Sequence, residues 1–430
     1  MVTDEHSPLR GNLGKYPSRS SGSETVLQLR TIQQRRRRSS CVVLIVVLCG
    51  LAGACATPAA DPAVQGTGTV ADRTLSVPLD HEAARHFLED HPDAHPEGWH
   101  HDIEPIRADL ADQPLHQLDF TPVLARPGSV DLAALLFIDR VYRNDRNAQF
   151  AACVSHFNDR LGAPDTDVEA LMQSAAERFH VVFVPGWLYE DHTTTEADFA
   201  RTRSALERAG ITHELLDTKQ DGTVEANAAH LADHLRNFDD PSRELIIVSA
   251  SKSGAEVHYA LGHLLSPEES ATVTAWINAG GLLRGTAVAD DWTRLPRSLV
   301  GRPLMAWHGW SWESLLSLRT DAAAERLARS DLPATLRVIN YIPVPMTAQM
   351  THGAEGRHAR LARLGPNDGA GLLTDAVAAA DDAITLTEPE ADHYFLRTDI
   401  GRRTLALTRA LEMELDERPC APYIGANAQP

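Results

Sequence analysis

The stretch LIIVSASKSG, residues 245–254, changes character in its middle. Its first four residues are apolar, and the following six are small or polar and centre on Ser251. A continuous apolar run is typical of a strand that is buried on both faces of a parallel sheet. The next segment, GAEVHYALGHLL at 254–265, has helical spacing. The stretch therefore predicts a strand, a tight turn that presents one hydroxyl, and a helix.

The same alternation of strand and helix extends to both sides of this stretch. Strands are predicted at 180–184, 211–218, 244–250, 272–281, 335–344 and 383–389, and helices at 195–210, 224–238, 254–265 and 402–414. Such alternation is typical of βαβ units and a parallel sheet. Because βαβ crossovers are right-handed, the predicted fold class is α/β, with a doubly wound, mostly parallel sheet.

Ser251 lies where such a sheet would present a catalytic group, since ligands bind beyond the carboxyl ends of parallel strands. A serine in a very tight strand-to-helix turn requires small residues two positions before and after it, and the usual pattern is G-x-S-x-G. Here Ser249 and Ser253 replace both glycines. The helix after the turn offers unpaired N–H groups, and Lys252 supplies the one that directly follows the serine. We treat the Lys252 side chain as incidental.

With these residues, the segment from about 178 to 415 resembles an α/β-hydrolase. Members of that family carry, in chain order, an oxyanion loop, the nucleophile turn, an acid loop and a histidine loop. Three stretches resemble the remaining loops: VPGWLYEDH (184–192), LGPNDG (364–369) and EADHYF (390–395).

The resemblance implies a role for one residue in each loop. Ser251 would be the nucleophile, His393 the base and Asp368 its acidic partner, while the N–H groups of Trp187 and Lys252 would form the oxyanion hole. A serine hydroxyl needs a base that accepts and returns its proton, and a carboxylate stabilises the resulting imidazolium.

The residue pattern leaves alternatives open for the acid. The other candidate acids are Glu355, Asp375 and Asp392. Since the chain has 20 histidines, His393 is favoured only by its place 25 residues after Asp368.

The first 55 residues have the composition of an export signal. A polar leader, 1–34, precedes Arg35–Arg38 and the 14-residue apolar run Cys41–Ala54. This run is shorter than the about 20 residues of a membrane-spanning helix, and its order is typical of a signal peptide. LAGAC, at 51–55, resembles the lipobox of bacterial lipoproteins, which implies lipidation of Cys55 and a membrane-anchored protein of the cell envelope. Ordinary cleavage with secretion and an uncleaved anchor are the alternatives.

The remaining domain boundaries follow from composition and pattern. We predict a linker at 56–75, a helical region at 76–177, a hydrolase domain at 178–417 with an insertion at 284–334, and a tail at 418–430. The helical region is either a small subdomain or an elaboration of the sheet domain. The insertion contains Trp292, Trp307, Trp310 and Trp312. It is interpreted either as a lid or substrate pocket or as a segment that packs onto the sheet.

Charge and cysteine content narrow the possible partners. Residues 55–430 contain 32 Lys and Arg against 56 Asp and Glu, so their formal net charge is −24. Such a surface repels nucleic acid, which we exclude as a partner. Cys153 and Cys420 either pair in an oxidising compartment or remain separate thiols. The cluster HPDAHPEGWHHDIE, 91–104, lacks a defined metal-ligand spacing and is interpreted as a solvated loop. A serine triad requires no metal or cofactor, so none is expected.

Together these observations predict an exported serine hydrolase that cleaves a carboxylic ester through an acyl-enzyme. The tryptophan-rich insertion favours an apolar acyl group or a lipid as substrate. The alternative is a non-catalytic envelope lipoprotein that uses the same fold to bind a ligand or partner. The two replaced glycines of the turn favour that alternative.

Overall fold

The computed structural model describes residues 63–70, 73–89, 99–240, 242–380, 382–418 and 420. The predicted polar leader, export signal and lipidation site at Cys55 lie outside the described residues. Within the described ranges, no helix combines the length and the apolar character that a membrane span needs.

The strands, numbered in chain order, are β1 Val64–Val70, β2 Arg73–Leu79, β3 Phe179–Val184, β4 Thr212–Leu215, β5 Glu244–Ala250, β6 Val273–Ala279, β7 Arg337–Val344 and β8 Ile384–Pro389. The last six form one sheet in the order β4-β3-β5-β6-β7-β8, and every neighbouring pair is parallel. The predicted doubly wound parallel sheet is therefore confirmed.

The helices are α1 Glu82–Glu89, α2 Trp99–Ala111, α3 Thr121–Ala125, α4 Val130–Tyr142, α5 Asp145–Gly162, α6 Val168–Arg178, α7 Ala200–Arg208, α8 Val224–Arg236, α9 Lys252–Tyr259, α10 Pro267–Ser270, α11 Ala287–Thr293, α12 Ser298–His308, α13 Trp312–Ser317, α14 Thr320–Leu327, α15 Glu355–Leu361 and α16 Ile400–Leu415. A π-helical turn, Ala260–Leu264, continues α9.

Strand β5 explains why this sheet is covered on both faces. Ile246 and Val248 pack into an apolar cluster that contains side chains of α5, α7 and α16. Leu245 and Ile247 pack into a second cluster with side chains of α8 and α9. Successive side chains of a strand point to opposite faces, so an uninterrupted apolar run fills two helix–sheet layers.

The structure differs from the predicted linker at 56–75, because β1 and β2 form an antiparallel hairpin. In β2, Leu75, Val77 and Leu79 alternate with exposed residues and are buried in the cluster that also contains residues of α1 and α4. This period of two is a strand pattern. It was obscured by the many Gly, Thr and Ser residues around it.

The region between the hairpin and β3 is an elaboration of the sheet domain. Helix α5 packs on the same face of the sheet as α16, within one apolar cluster. Cys153 of α5 and Cys420 form a disulfide, which resolves the choice between pairing and separate thiols.

One predicted helix start is wrong. The sequence predicts a helix at 195–210, whereas α7 begins at Ala200 and Phe199 occupies the N-cap with φ +57°. The Thr195 hydroxyl instead donates to the carbonyl of His192 at 2.7 Å, inside the preceding turns.

Candidate active site

The candidate site lies where the strand order reverses. Strand β5 follows β4 in the chain but pairs with β3 on its other edge. At such a switch point the connections that follow the two neighbouring strands, here β3 and β5, leave in opposite directions. A crevice then opens beyond the carboxyl ends of these strands. The loop that contains Trp187 follows β3, and Ser251 follows β5. The topology therefore brings these two segments to one crevice.

Ser251 has a backbone conformation that residues with a side chain rarely adopt, with φ +59° and ψ −128°. Such a conformation costs about 1–3 kcal/mol and persists only where the surroundings determine it. The Ser251 carbonyl accepts hydrogen bonds from the N–H groups of Gly254 at 3.1 Å and Leu282 at 2.9 Å. The turn is thus held from both the helix and the loop after β6.

Both serines that replace the usual glycines are hydrogen-bonded inside the turn. Ser249 is buried, and its Oγ accepts from the indole Nε1 of Trp276 at 2.8 Å. The Ser253 Oγ lies 2.7 Å from the Val184 carbonyl and accepts from the Ala250 N–H at 2.9 Å. Ser253 therefore connects the turn at Ser251 to the end of β3, a contact that a glycine could not make.

The close approach of helix and sheet occurs one residue later, at Gly254. A Cβ on Gly254 would lie 2.7 Å from the Cα of Gly281 and 2.8 Å from Oδ1 of Asn278. No side chain fits there. The requirement for glycine is thus met at a position that the G-x-S-x-G pattern does not include.

His393 and Asp368 lie in direct contact. Nδ1 of His393 is 2.7 Å from Oδ2 of Asp368, and the His393 N–H donates to the Asp368 carbonyl at 3.0 Å. An ionised carboxylate only accepts hydrogen bonds, so this contact places the ring proton on Nδ1 and leaves Nε2 able to accept one. Such a histidine can act as a base.

Asp368 is buried, but its hydrogen bonds favour the ionised form. Its Oδ1 accepts from the N–H groups of Ala370 at 2.8 Å and Gly371 at 2.9 Å. Burial by itself would raise the pKa of the Asp368 carboxyl. The charge and hydrogen bond of His393 and these two N–H groups outweigh burial, so the pKa is lowered.

The three alternative acids lie in other surroundings. Asp392 accepts from the Thr351 N–H at 2.8 Å and from the Tyr394 N–H at 3.1 Å. Glu355 is exposed at the start of α15. Burial raises the pKa of Asp375 to about 6, against the opposing charge of Arg284. Among the described residues, Asp368 is the carboxylate in contact with His393.

Two backbone N–H groups close to Ser251 in the fold have no hydrogen-bond acceptor among the described residues. The neighbours of Trp187 are engaged, since the Gly186 N–H donates to Ala197 at 2.8 Å and the Leu188 N–H to Gln220 at 3.0 Å. Within the part of the chain that the structure describes, the Trp187 N–H has no acceptor. The Lys252 N–H is the first of α9 and has no partner within that helix.

The Lys252 side chain is not incidental, which corrects the sequence interpretation. It is 1% exposed and forms an ion pair with Glu256, four residues later on α9. Glu256 also accepts from Nδ2 of Asn227 at 2.9 Å. Burial raises the pKa of the Glu256 carboxyl, and the charge of Lys252 opposes that shift. The spacing of four residues was visible in the sequence, but the burial of both side chains was not.

Two cavities meet at Ser251, His393 and Trp187. The larger has a volume of about 450 Å³ and the smaller about 80 Å³. The insertion supplies half of the larger cavity's lining residues: Thr286, Val288, Ala289, Trp292, Gly301, Leu304, Met305, Trp310, Leu315 and Leu318. This placement favours the pocket interpretation of the insertion.

The four tryptophans of the insertion differ in their position, and two of them lie in the pocket wall. Trp292 and Trp310 line the larger cavity. Trp312 packs beside them in the apolar cluster of the insertion, near Gly301. Trp307 is 57% exposed and has no part in that cluster.

Among the described residues, no group of His, Cys, Asp and Glu side chains could hold a metal ion. Residues 91–98 of the histidine-rich cluster lie outside the described residues. The donors around Ser251 instead suit proton transfer and the binding of an oxyanion.

No protein-family model matches the sequence, and no curated protein matches it. Solved structures with a similar fold include a metagenomic carboxyl esterase, at 20% identity and a TM-score of 0.45, over 56% of this chain and 76% of that one. The mature lipase BlEst2 of Bacillus licheniformis matches at 20% identity and a TM-score of 0.41, over 56% of this chain and 90% of that one. The Staphylococcus hyicus lipase matches at 13% identity and a TM-score of 0.41, over 57% and 95%.

Proposed function

We propose that this protein is a serine hydrolase that cleaves a carboxylic ester through an acyl-enzyme. The observation that carries the proposal is the arrangement around one crevice of a strained Ser251 and a His393 that is bound to Asp368 through Nδ1. A serine held in this conformation and a histidine whose Nε2 can accept a proton are the two partners that nucleophilic attack requires.

In this proposal Ser251 Oγ attacks the ester carbonyl while Nε2 of His393 accepts the hydroxyl proton. Asp368 keeps the imidazole in the required tautomer and stabilises the imidazolium. The N–H groups of Trp187 and Lys252 donate to the oxyanion that develops on the carbonyl. His393 then returns the proton to the leaving alcohol, and water releases the acid by the same route.

The cavity walls favour an apolar substrate. The larger cavity is lined mainly by aliphatic and tryptophan side chains, which suit an acyl chain or another apolar group. The outer side of the insertion is also apolar, since Leu295 is 75% exposed, Leu299 69% and Trp307 57%. Both features support a lipid-like ester.

The replaced glycines give little support to the alternative of a non-catalytic binding protein. The hydroxyl of Ser253 bonds to the Val184 carbonyl, and that of Ser249 bonds to Trp276. Both serines therefore stabilise the turn that presents Ser251, which is a physical reason for their presence in an active hydrolase.

Labelling by a fluorophosphonate probe tests the proposal. The parent chain should be labelled and the Ser251→Ala variant should not, with folding compared by circular dichroism. Ser174→Ala is the matched control, because it removes an exposed hydroxyl on α6 that lines neither cavity, and it should retain labelling. Absence of labelling in the folded parent, or persistent labelling of Ser251→Ala, would contradict the proposal.

We further propose that the protein is exported and anchored in the membrane of the cell envelope through a lipid on Cys55. The basic cluster, the short apolar run and the LAGAC sequence support this proposal. Mass spectrometry of the mature N-terminus checks it. An acylated Cys55 is expected, whereas an unmodified N-terminus released to the medium would favour secretion.

A further inference from the structure

One charged side chain lies in the wall of the larger cavity. Among the described residues that line this cavity, Arg357 alone has a permanent charge, and no Asp or Glu accompanies it. Asp191, which is not one of the lining residues, accepts the Trp310 indole N–H at 2.6 Å. Burial of a guanidinium in an apolar wall costs free energy unless the group is paired or hydrogen-bonded. The groups that contact Arg357 therefore indicate its role.

Among the described residues, the hydrogen-bond acceptors of Arg357 are neutral. Its Nε donates to the Gly369 carbonyl at 2.8 Å, Nη1 to the Gly353 carbonyl at 2.8 Å, and Nη2 to the Tyr394 hydroxyl at 2.6 Å. A guanidinium has five N–H donors, so two remain for another group. Within the described ranges no carboxylate lies within ion-pair distance of Arg357, and the three groups that accept its hydrogen bonds are neutral.

A second guanidinium adds to the positive potential. Arg360 lies three positions after Arg357 on α15, where side chains are neighbours, and among the described residues it also has no carboxylate partner. Burial and the charges of Arg297 and Arg357 lower the pKa of Arg360. Arg297 itself is paired with Asp291, so it contributes less. Clustered like charges are unfavourable unless an anion neutralises them.

We propose that Arg357, assisted by Arg360, is an anion-binding subsite, and that the preferred ester carries a carboxylate or phosphate group on the chain that occupies the larger cavity. This inference rests on the proposed ester hydrolysis and specifies its substrate. Three hydrogen bonds orient Arg357, and two of its N–H donors have no acceptor among the described residues, which suits a two-pronged contact with a planar or tetrahedral oxyanion. The formal net charge of the chain is −19, so the protein as a whole repels anions. The positive charge of Arg357 therefore attracts an anionic substrate only at close range.

The test compares esters that differ only in charge. Mono-4-nitrophenyl glutarate is anionic, its methyl ester is neutral, and the 4-nitrophenyl ester of 4-phosphonobutyric acid carries a phosphonate on the same chain. The parent should hydrolyse an anionic ester with a kcat/KM about tenfold or more above that of the neutral one, as expected for charge-assisted hydrogen bonds. Whichever anionic ester has the lower KM distinguishes carboxylate from phosphate recognition.

Variants separate recognition from positioning. Arg357 also contacts Gly369 and Tyr394, beside Asp368 and His393, so we expect Arg357→Gln to be slower on every ester. The ratio of kcat/KM between anionic and neutral esters isolates recognition, because a positioning defect lowers both values alike. We expect this ratio to fall about tenfold in Arg357→Gln and about threefold in Arg360→Gln. Arg363→Gln, with the same charge change at an exposed site outside the cavity, should leave the ratio within about twofold of the parent.

The outcomes distinguish this inference from the function on which it rests. Turnover of the neutral ester without preference for either anionic ester, or an unchanged ratio in Arg357→Gln, would overturn the anion subsite alone. Absence of turnover of all three esters by the folded parent would overturn the proposed hydrolase function and the subsite together.

Discussion

Two regions outside the six-stranded core, residues 64–177 and the insertion at 284–334, relate to the candidate site in different ways. The insertion supplies half of the residues that line the larger cavity, so it touches whatever occupies that cavity. Residues 64–177 contribute none of the described lining residues of either cavity at Ser251. Additions to the same sheet thus act either by contact with a ligand or by support of the scaffold.

The N-terminal region is connected to the site loops by hydrogen bonds and ion pairs, in addition to apolar packing against Met346 and Leu373. Oδ1 of Asp131 accepts from the N–H of Thr347 at 2.7 Å and from its hydroxyl at 2.8 Å. Oγ1 of Thr347 lies 3.2 Å from His358, which in turn lies 2.9 Å from Asn367. Oδ1 of Asn367 accepts the Gly369 N–H at 3.1 Å, directly after Asp368.

A second connection runs from the hairpin to the end of β8. Arg73 of β2 forms an ion pair with Glu388, which also contacts Arg403 at 3.0 Å. Glu388 lies five positions before His393. The N-terminal region therefore supports the bases of both the acid loop and the histidine loop.

The largest expected effect is on stability. Leu136 of α4 is 1% exposed within the N-terminal apolar cluster, so Leu136→Ala should lower the free energy of unfolding by about 2–5 kcal/mol. The KM of the folded fraction should stay unchanged, because this region lines neither cavity. Urea unfolding and steady-state kinetics measure the two quantities. A changed KM with unchanged stability would mean that residues 64–177 act on ligand binding and not on support of the scaffold.

The next effect concerns pH. Burial and the charge of Asp80 raise the pKa of Asp131 to about 7. The folded chain therefore holds this proton up to a higher pH than the unfolded chain, and the free energy of unfolding should fall as the pH rises from about 4 to 7. Asp131→Asn removes that titration, so its stability should depend less steeply on pH over this window. Parallel slopes for parent and variant would refute the assignment.

A smaller effect is expected on specificity. Trp310 lines the larger cavity, whereas Trp307, in the same insertion, is 57% exposed. Trp310→Ala should reduce kcat/KM about tenfold for a long-chain ester and less for an acetate, because apolar contact with the chain is lost. Trp307→Ala is the matched control and should stay within about twofold for soluble esters. Equal losses in both variants would mean that the insertion acts through its fold and not through its cavity wall.

The smallest effect should come from Thr347→Val. This change removes the hydroxyl between Asp131 and His358 but keeps the side-chain shape. We expect kcat to fall about threefold and KM to stay constant, since the acid loop is loosened while the cavity wall is intact. Steady-state kinetics on one soluble ester gives both values. A change confined to KM would place Thr347 in ligand binding and not in support of the loop.

Local sequence was sufficient for most elements of the sheet. The run at 244–250 matches β5, and the predicted helices at 224–238 and 402–414 match α8 and α16 within two residues. These predictions succeed because periodicity depends on neighbours in the chain. The β1–β2 hairpin was missed because its inward residues are few and its composition resembles that of a linker.

The sequence by itself determined the order of the elements, the turn at Ser251 and the three loops that resemble those of a hydrolase. Only the tertiary structure brought Asp368, and not Asp392, to His393, buried Lys252 with Glu256, and placed Arg357 in the cavity wall. Each of these depends on contacts between residues or loops whose approach is set by how the helices pack on the sheet. Periodicity records which side of an element faces the core, but it does not record which distant loop lies opposite that side.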